Sequence, residues 1–215
     1  MADEQTAGRG RSARDWWTGP RGTNLAITLA VDPAPPPAPL CVVIAACALA
    51  HALTERGAQA AAVKWPNDVL LGGAKVAGVI GEWRSGPPPS ALLGMGVNVA
   101  ASPPHSTTRA PATSVNAALA TRGLAPLDRL VLLADWLIGF ELRWQRALRG
   151  DVSALEEEFL NYLRAWAPRG VREPATPSEP GGRLLEFRFD SGLTWQSGDR
   201  TIRRSLAALA ALEAL

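Results

Sequence analysis

The sequence predicts an α+β protein, in which a mixed or antiparallel sheet is flanked by helices and followed by a small β module. Short apolar segments separated by turn residues run from Ala61 to Val97, a pattern typical of strands joined by hairpins. Longer apolar stretches on both sides have the length of helices. A linker rich in proline and glycine then leads to two short strand-like segments near the end of the chain.

Composition excludes several classes of protein. The chain has 215 residues, of which 47% are hydrophobic and 20% charged, so it can bury the core of one domain with a small appendage. Its net charge of +2 is too small for the field of a dedicated nucleic-acid binder. The longest apolar stretch, Leu40 to Ala50, is too short to span a bilayer. Its two cysteines, Cys41 and Cys47, fit neither a metal site nor a redox motif, so we expect buried thiols in a cytoplasmic protein.

The first elements are a strand and a core helix. Asn24 to Val31 contains β-branched residues and alternates loosely, which favours a buried strand. A proline run over residues 33–39 then acts as a connector. Leu40 to Arg56 is apolar nearly all round, which predicts a core helix, and Gly57 is placed to end it.

A meander follows the core helix. Gly72 and Gly73 form a tight hairpin signal between two apolar segments, and residues 86–90 form a looser one. Residues 100–111 are polar and rich in proline, which predicts a loop.

Two further helices are predicted after this loop. Leu127 to Leu148 carries apolar residues at helical spacing behind Asp128. Asp151 is placed to cap a second helix that runs to about Trp166. We expect the acidic run 156–158 to lie on the solvent side of that helix.

The tail changes character again. Residues 172–182 form the linker, and residues 183–189 and 192–197 are the two predicted strands. Residues 205–215, with the sequence SLAALAALEAL, have the composition of a helix.

The first loop is rich in glycine and arginine. Gly8 and Gly10 would let the backbone approach a ligand closely. Residues 8–22 carry a local charge of about +3, since they contain four arginines and one aspartate. The arginines are Arg9, Arg11, Arg14 and Arg21, and the aspartate is Asp15. The loop could clamp a phosphate or another polyanion, and a solvated basic loop is the open alternative.

The segment KWPND is a second candidate. Pro66 fixes the backbone and the side chains of Asn67 and Asp68 can bond to it, so the segment predicts a turn that holds two polar groups. Lys75 follows the Gly-Gly turn within an apolar strand. Its amine is either exposed at an edge or held in a pocket to meet an anion, and periodicity does not decide between these.

The segment GMGVN is a third candidate. Gly94 and Gly96 inside a strand indicate either a β-bulge or the close approach of a ligand, and Asn98 offers a donor and an acceptor. His51 and His105 have no partners at metal-ligand spacing. Ser12 and Ser85 lack a histidine near them in sequence, so they give no support for hydrolase chemistry.

Taken in order, four segments resemble the biotin protein ligase family. They are DEQTAGRGRSARDWWTGPRGTNLAITL, KWPNDVLLGGAKVAGVIGEW, GMGVNV and ATSV, which together extend over residues 3–116. The resemblance implies a catalytic domain like that of class II aminoacyl-tRNA synthetases over residues 1–167, and a small SH3-like β module over residues 168–215.

The resemblance also implies a two-step reaction. Biotin and ATP, with Mg²⁺, would give biotinyl-5′-adenylate and pyrophosphate, and the adenylate would then acylate a lysine of a biotin carboxyl carrier domain. A reaction between two anions needs charge neutralisation more than an acid–base pair. The sequence offers arginines, a lysine and glycines for that purpose.

Site residues follow from the resemblance position by position. Lys75 corresponds to the lysine that holds the biotin carboxylate and the reacting phosphate, with Arg9 and Arg11 as further catalytic residues. Asn67, Asp68 and Asn98 are expected to bind ATP with its Mg²⁺. No structural metal is expected. The remaining residues are expected to bind biotin and the adenylate: Gln5, Gly8, Gly10, Arg14, Trp16, Gly78 and Gly96.

The sequence departs from the family at both ends. A Ser-Thr-Asn segment that forms one wall of the biotin pocket is absent before Gln5, so we expect an N-terminally truncated domain. The alternative function is therefore a catalytically impaired protein that binds biotin or ATP. No DNA-binding motif precedes the domain, so DNA binding is not expected, and edges left by the lost strand leave self-association as a homodimer open.

Overall fold

A computed structural model gives the fold over residues 1–11, 14–31, 39–58, 61–84, 90–108 and 110–215. Most of the predicted proline connector, the turn at residues 86–89, Ser12, Ser85 and the side chain of His105 lie outside this description. The strands are β1 (Leu25–Val31), β2 (Ala61–Lys64), β3 (Asp68–Leu71), β4 (Ala74–Arg84), β5 (Ser90–Val97), β6 (Val171–Arg172), β7 (Arg183–Arg188), β8 (Gly192–Ser197), β9 (Arg200–Arg204) and β10 (Glu213–Ala214). The α-helices are α1 (Pro39–Glu55), α2 (Val115–Ala120), α3 (Arg129–Leu148) and α4 (Ser153–Trp166).

The main sheet has five strands in the order β1-β5-β4-β3-β2, and every neighbouring pair is antiparallel. The predicted meander is therefore confirmed. Gly72 and Gly73 form the hairpin between β3 and β4, with φ angles of 57° and 81°, which residues with a side chain rarely adopt.

The core lies between one face of this sheet and α1. Helix α1 is buried nearly all round, as its apolar sequence predicts, because the sheet covers one side and α3 and α4 cover the other. Along β5 alternate residues are buried, so Ala91, Leu93, Met95 and Val97 face the core. The residues between them face the opposite side of the sheet.

The two helices after the polar loop are confirmed, but their details differ from expectation. Asp128 caps α3 by accepting hydrogen bonds from the next turn. Asp151 does not cap α4: Val152 takes the cap position without a side-chain bond, and the Asp151 carboxylate instead pairs with Arg146 at 2.8 Å. Glu156 is buried rather than solvent-exposed, because its carboxylate accepts hydrogen bonds from the small β module.

The tail forms turns and a two-residue strand where a helix was expected. Strands β7, β8 and β9 make a three-stranded sheet, while β10 pairs with β6. Residues 205–215 are therefore not the predicted helix. Burial of Leu209 and Leu212 and the pairing of Glu213 with Arg172 outweigh the helix propensity of an Ala- and Leu-rich segment.

An aromatic cluster joins the main sheet, α4 and the tail. The ring of Trp65 lies 6.2 Å from that of Phe159 and 6.3 Å from that of Phe187, between ring centroids. Buried side chains on both sides of residue 167 thus belong to one core, and the division into two domains there stays a prediction. Within the described residues, no helix is long and apolar enough to cross a bilayer.

Replacement of Glu156 tests this packing. Its two carboxylate oxygens accept from the backbone N–H of Phe189 at 2.8 Å and from Arg188 at 3.0 Å. Since hydrogen bonds to a charged group contribute about 1.5–3 kcal/mol each, Glu156→Gln should lower the free energy of unfolding by roughly 1–3 kcal/mol in urea denaturation. The exposed neighbour gives the control, Glu157→Gln. Equal stability of the two variants would contradict the assignment.

The thiols give a second prediction. Both cysteines are buried, and desolvation raises the pKa of Cys41 to about 11 and that of Cys47 well above its usual value. Because the thiolate is the reactive form, an aromatic disulfide reagent near neutral pH should label neither thiol in the folded chain and both in denaturant. Rapid labelling of the folded chain would be inconsistent with this core.

Candidate active site

A cleft of about 880 Å³ lies on the face of the main sheet opposite α1. The N-terminal loop covers one side of it, and residues 210–213 of the tail line another. It brings together eleven of the thirteen predicted site residues. These are Gln5, Arg9, Gly10, Arg11, Arg14, Trp16, Asn67, Asp68, Lys75, Gly78 and Gly96.

A β-bulge places Lys75 in this cleft. Ala77 pairs with Val69 but Lys75 pairs with Leu70, so Val76 is an extra residue in β4. The bulge turns Lys75 to the same side of the sheet as Asp68. The Lys75 Nζ then lies 2.6 Å from the Asp68 Oδ1. Of the two interpretations open for Lys75, the structure has the amine in a pocket.

The segment Ala112–Val115 braces the bulge. The backbone of Lys75 bonds to Pro111 O at 2.8 Å and to Thr113 N at 2.9 Å. Asn98 in turn donates from its side chain to Thr113 O at 3.1 Å. Asn98 is 3% exposed and is not among the residues that line the cleft. Asn98 thus fixes the segment that braces Lys75, and its expected contact with the nucleotide stays a prediction.

Two glycines form the floor of the cleft. Gly78 on β4 and Gly96 on β5 are paired in register, and the indole of Trp16 lies on them. A Cβ at Gly96 would overlap this ring, and one at Gly78 would lie 3.4 Å from it. The pairing of β5 shows no register shift, so close approach of the Trp16 ring, and not a bulge, explains Gly96. The Lys75 Nζ lies 5.4 Å from the ring centroid, within cation–π range.

The glycine- and arginine-rich loop folds back on itself. Trp16 N donates to Gly8 O at 2.9 Å, and Gly10 N donates to Arg14 O at 2.6 Å. Gly8 itself is not among the residues that line the cleft: a Cβ there would come within 2.5 Å of the Trp16 carbonyl oxygen. The absence of a side chain at Gly8 is therefore required by the turn of the loop, and its contact with the adenylate stays a prediction.

The turn at Asn67 connects this loop to the sheet. The Asn67 side chain donates to Val79 O at 2.7 Å, and its oxygen accepts from Arg11 at 3.4 Å. The turn is thereby fixed to β4, and it positions Asp68 at the start of β3.

The tail forms one wall of the cleft, which the sequence did not predict. Trp65 donates from its indole N–H to Leu209 O at 3.1 Å, a buried bond between residues 144 positions apart. Pro174 and residues 210–213 line the cleft beside it. The tail carries no motif, and its composition predicted a helix, so nothing local in the sequence pointed to this role.

The cleft is suited to an anionic ligand. Four of its cations, Arg9, Arg11, Arg14 and Lys64, form no ion pair among the residues that the structure describes. Their charges are available to a bound phosphate or carboxylate. In the same part of the chain, no three acidic, histidine or cysteine side chains are grouped to hold a metal ion. Of the acidic residues that line the cleft, Asp68 lies beside Lys75, and one carboxylate together with the phosphates of a substrate is a usual way in which Mg²⁺ binds.

Comparisons with known proteins agree with this geometry. Residues 1–98 match the model of the biotin/lipoate A/B protein ligase family. A biotin–[acetyl-CoA-carboxylase] ligase of Paracoccus denitrificans is 43% identical over 181 residues, which are 80% of this chain and 70% of that protein. The bifunctional ligase/repressor BirA of Escherichia coli (strain K12) is 31% identical over 77% of this chain and 49% of its own length.

The fold has close solved counterparts. The biotin protein ligase from Aquifex aeolicus, solved in complex with biotin and ATP, superposes with a TM-score of 0.79 over 100% of this chain and 88% of that one, at 21% sequence identity. The α+β prediction is confirmed, with an antiparallel main sheet flanked by helices and a small β module in the tail. On the extent and identity of these matches, the chain belongs to the biotin protein ligases of the biotin/lipoate A/B protein ligase family.

Proposed function

We propose that this chain attaches biotin to a lysine of a carboxylase carrier domain, through a biotinyl-5′-adenylate formed from biotin and ATP. The observation that carries the proposal is the unpaired positive charge around Lys75 in a cleft floored by glycines. Relatives named as biotin–[acetyl-CoA-carboxylase] ligases support the choice of substrate.

In the first step a biotin carboxylate oxygen would attack the α-phosphorus of ATP. A carbon–oxygen–phosphorus link forms, and the bond to the β-phosphate breaks to release pyrophosphate. Lys75, Arg9 and Arg11 would hold the two anions together, since fixed cations lower the barrier to bringing like charges into contact. Asp68 would hold Mg²⁺ together with the phosphates of ATP, and the ion would supply neutralisation of the phosphate charge.

In the second step the amine of the carrier lysine would attack the carbonyl carbon of the adenylate. An amide forms and AMP leaves. Gln5, Gly10, Arg14 and Trp16 would surround the adenylate on the loop side, and the enclosed cleft would protect the mixed anhydride from water. Residues 1–167 are proposed as the catalytic domain and residues 168–215 as a β module that closes the cleft.

We propose that the chain acts in the cytoplasm, without binding DNA, and that it can form a homodimer. Analytical ultracentrifugation of the purified chain, with and without biotin and ATP, measures whether it forms a homodimer.

Biotin-dependent release of pyrophosphate from ATP and Mg²⁺ tests the function. Replacement of the central amine, Lys75→Ala, should lower this rate by more than about 100-fold, since loss of a group that stabilises the transition-state charge has that effect. The melting temperature should change little, because a partly exposed ion pair contributes about 0–1 kcal/mol. Arg149→Ala, an exposed cation away from the cleft, is the control. Pyrophosphate release by Lys75→Ala at the unaltered rate would refute the role of Lys75.

A second prediction concerns the glycine floor. Gly96→Ala would push the Trp16 ring out of its seat, so the affinity for biotinyl-5′-adenylate should fall by about tenfold or more, equal to 1.4 kcal/mol. In a Trp16→Ala background there is no indole ring to displace, so Gly96→Ala should lower the affinity for biotinyl-5′-adenylate much less. Calorimetric titration of the four chains measures both effects. An equal loss in the two backgrounds would show that the floor does not act through Trp16.

A further inference from the structure

Primary amines are scarce in this chain, and all the lysines lie in the cleft. Of the 22 Lys+Arg residues, two are lysines, Lys64 and Lys75, and both line the cleft. Every other basic side chain of the 22 is an arginine. A guanidinium stays protonated and does not act as a nucleophile towards acyl groups near neutral pH. The amines that an activated acyl group could modify are therefore Lys64, Lys75 and the α-amine of Met1.

The two lysines differ in their partners. Lys64 ends β2 directly opposite Asp68 in the antiparallel register, and residues opposite each other project from the same face of a sheet. Asp68 nevertheless pairs with Lys75, at 2.6 Å. Lys64 is half-buried and makes no ion pair within the described residues. Its amine is the one unpaired lysine amine on the face where Lys75 and Asp68 meet.

We propose that Lys64 is a site of self-acylation, a conclusion that rests on the proposed formation of an acyl-adenylate in this cleft. The Nζ of Lys64 attacks the carbonyl carbon of the acyl-adenylate. An amide bond forms between that carbon and Nζ, the bond from the carbon to the phosphate oxygen breaks, AMP leaves with the electron pair, and the amine proton passes to solvent. The reaction replaces the charged amine of Lys64 by a neutral amide, so the cleft loses one positive charge and keeps the acyl chain attached.

The distribution of arginine gives this reaction its selectivity. An acyl-adenylate that escapes the cleft meets a surface of guanidinium groups and, apart from Met1, no amine. Acylation is therefore confined to the place where the intermediate is held, and a carrier lysine must compete with Lys64 for it. Self-acylation would be greatest when carrier protein is absent.

Mapping of the acylated amines tests the proposal without depending on catalysis by the chain. The purified chain is incubated with synthetic biotinyl-5′-adenylate and no carrier, quenched early, digested with trypsin and analysed by mass spectrometry. Acylation of Lys64 also blocks cleavage after that residue, which gives a second readout. We expect Lys64 to be labelled about 100-fold faster than an ordinary surface amine, as held reactants allow, and faster than Lys75 or Met1.

Two variants make the comparison specific. Lys64→Arg keeps the charge and should abolish the label at that position. Arg149→Lys adds an exposed amine outside the cleft and should be labelled slowly. Label mainly on Met1, Lys75 or the lysine added at 149, or no label on any amine, would overturn the proposal.

The same incubation with biotin and ATP separates this inference from the proposed function. Pyrophosphate release without label on Lys64 contradicts self-acylation alone. Absence of pyrophosphate release, with Lys64 labelled by the synthetic adenylate, contradicts the proposed function alone.

Discussion

The chemistry of the cleft depends on one irregularity in β4. In a regular strand Lys75 would pair with Leu71 and project towards the apolar core under α1, where an unpaired ammonium is costly. The extra residue Val76 turns Lys75 to the other face, beside Asp68. The bulge is held by backbone bonds to residues 111–113, and Asn98 holds that segment from behind. A substitution at Asn98 or in residues 111–113 would therefore displace the Lys75 amine without changing a residue that lines the cleft.

Both ends of the chain meet around this amine. The N-terminal loop contacts the sheet through Trp16 on the glycine floor and through the 3.4 Å bond from Arg11 to Asn67. The tail is tied by the bond from Trp65 to Leu209. The sheet is a continuous hydrogen-bonded unit, and the described parts of the loop contact it at the glycine floor and at Asn67. The floor of the cleft thus comes from the sheet, and its two sides come from the two ends of the chain.

Local signals in the sequence were enough to predict the sheet, the Gly72-Gly73 hairpin and the core helix, because turns and apolar faces are set by nearby residues. Most of the cleft residues were expected from the resemblance to the family, which local patterns alone do not supply. Three features depend on residues far apart in the chain and escaped prediction. The bulge needs its pairing with residues 111–113. The burial of Glu156 needs the β7–β8 turn, and the wall made by residues 210–213 needs Trp65. The helix predicted from the Ala and Leu content of the tail does not form, because tertiary pairing overrides helix propensity there.

Hydrogen–deuterium exchange with and without biotin and ATP measures most directly whether these distant segments form one ligand site. We expect slower exchange on ligand addition in three separate segments, namely the N-terminal loop up to Trp16, residues 64–79 and residues 209–213. Exchange that slows in the sheet while the loop and the tail keep their rates, or that changes in none of these segments, would show that these segments do not form one ligand site.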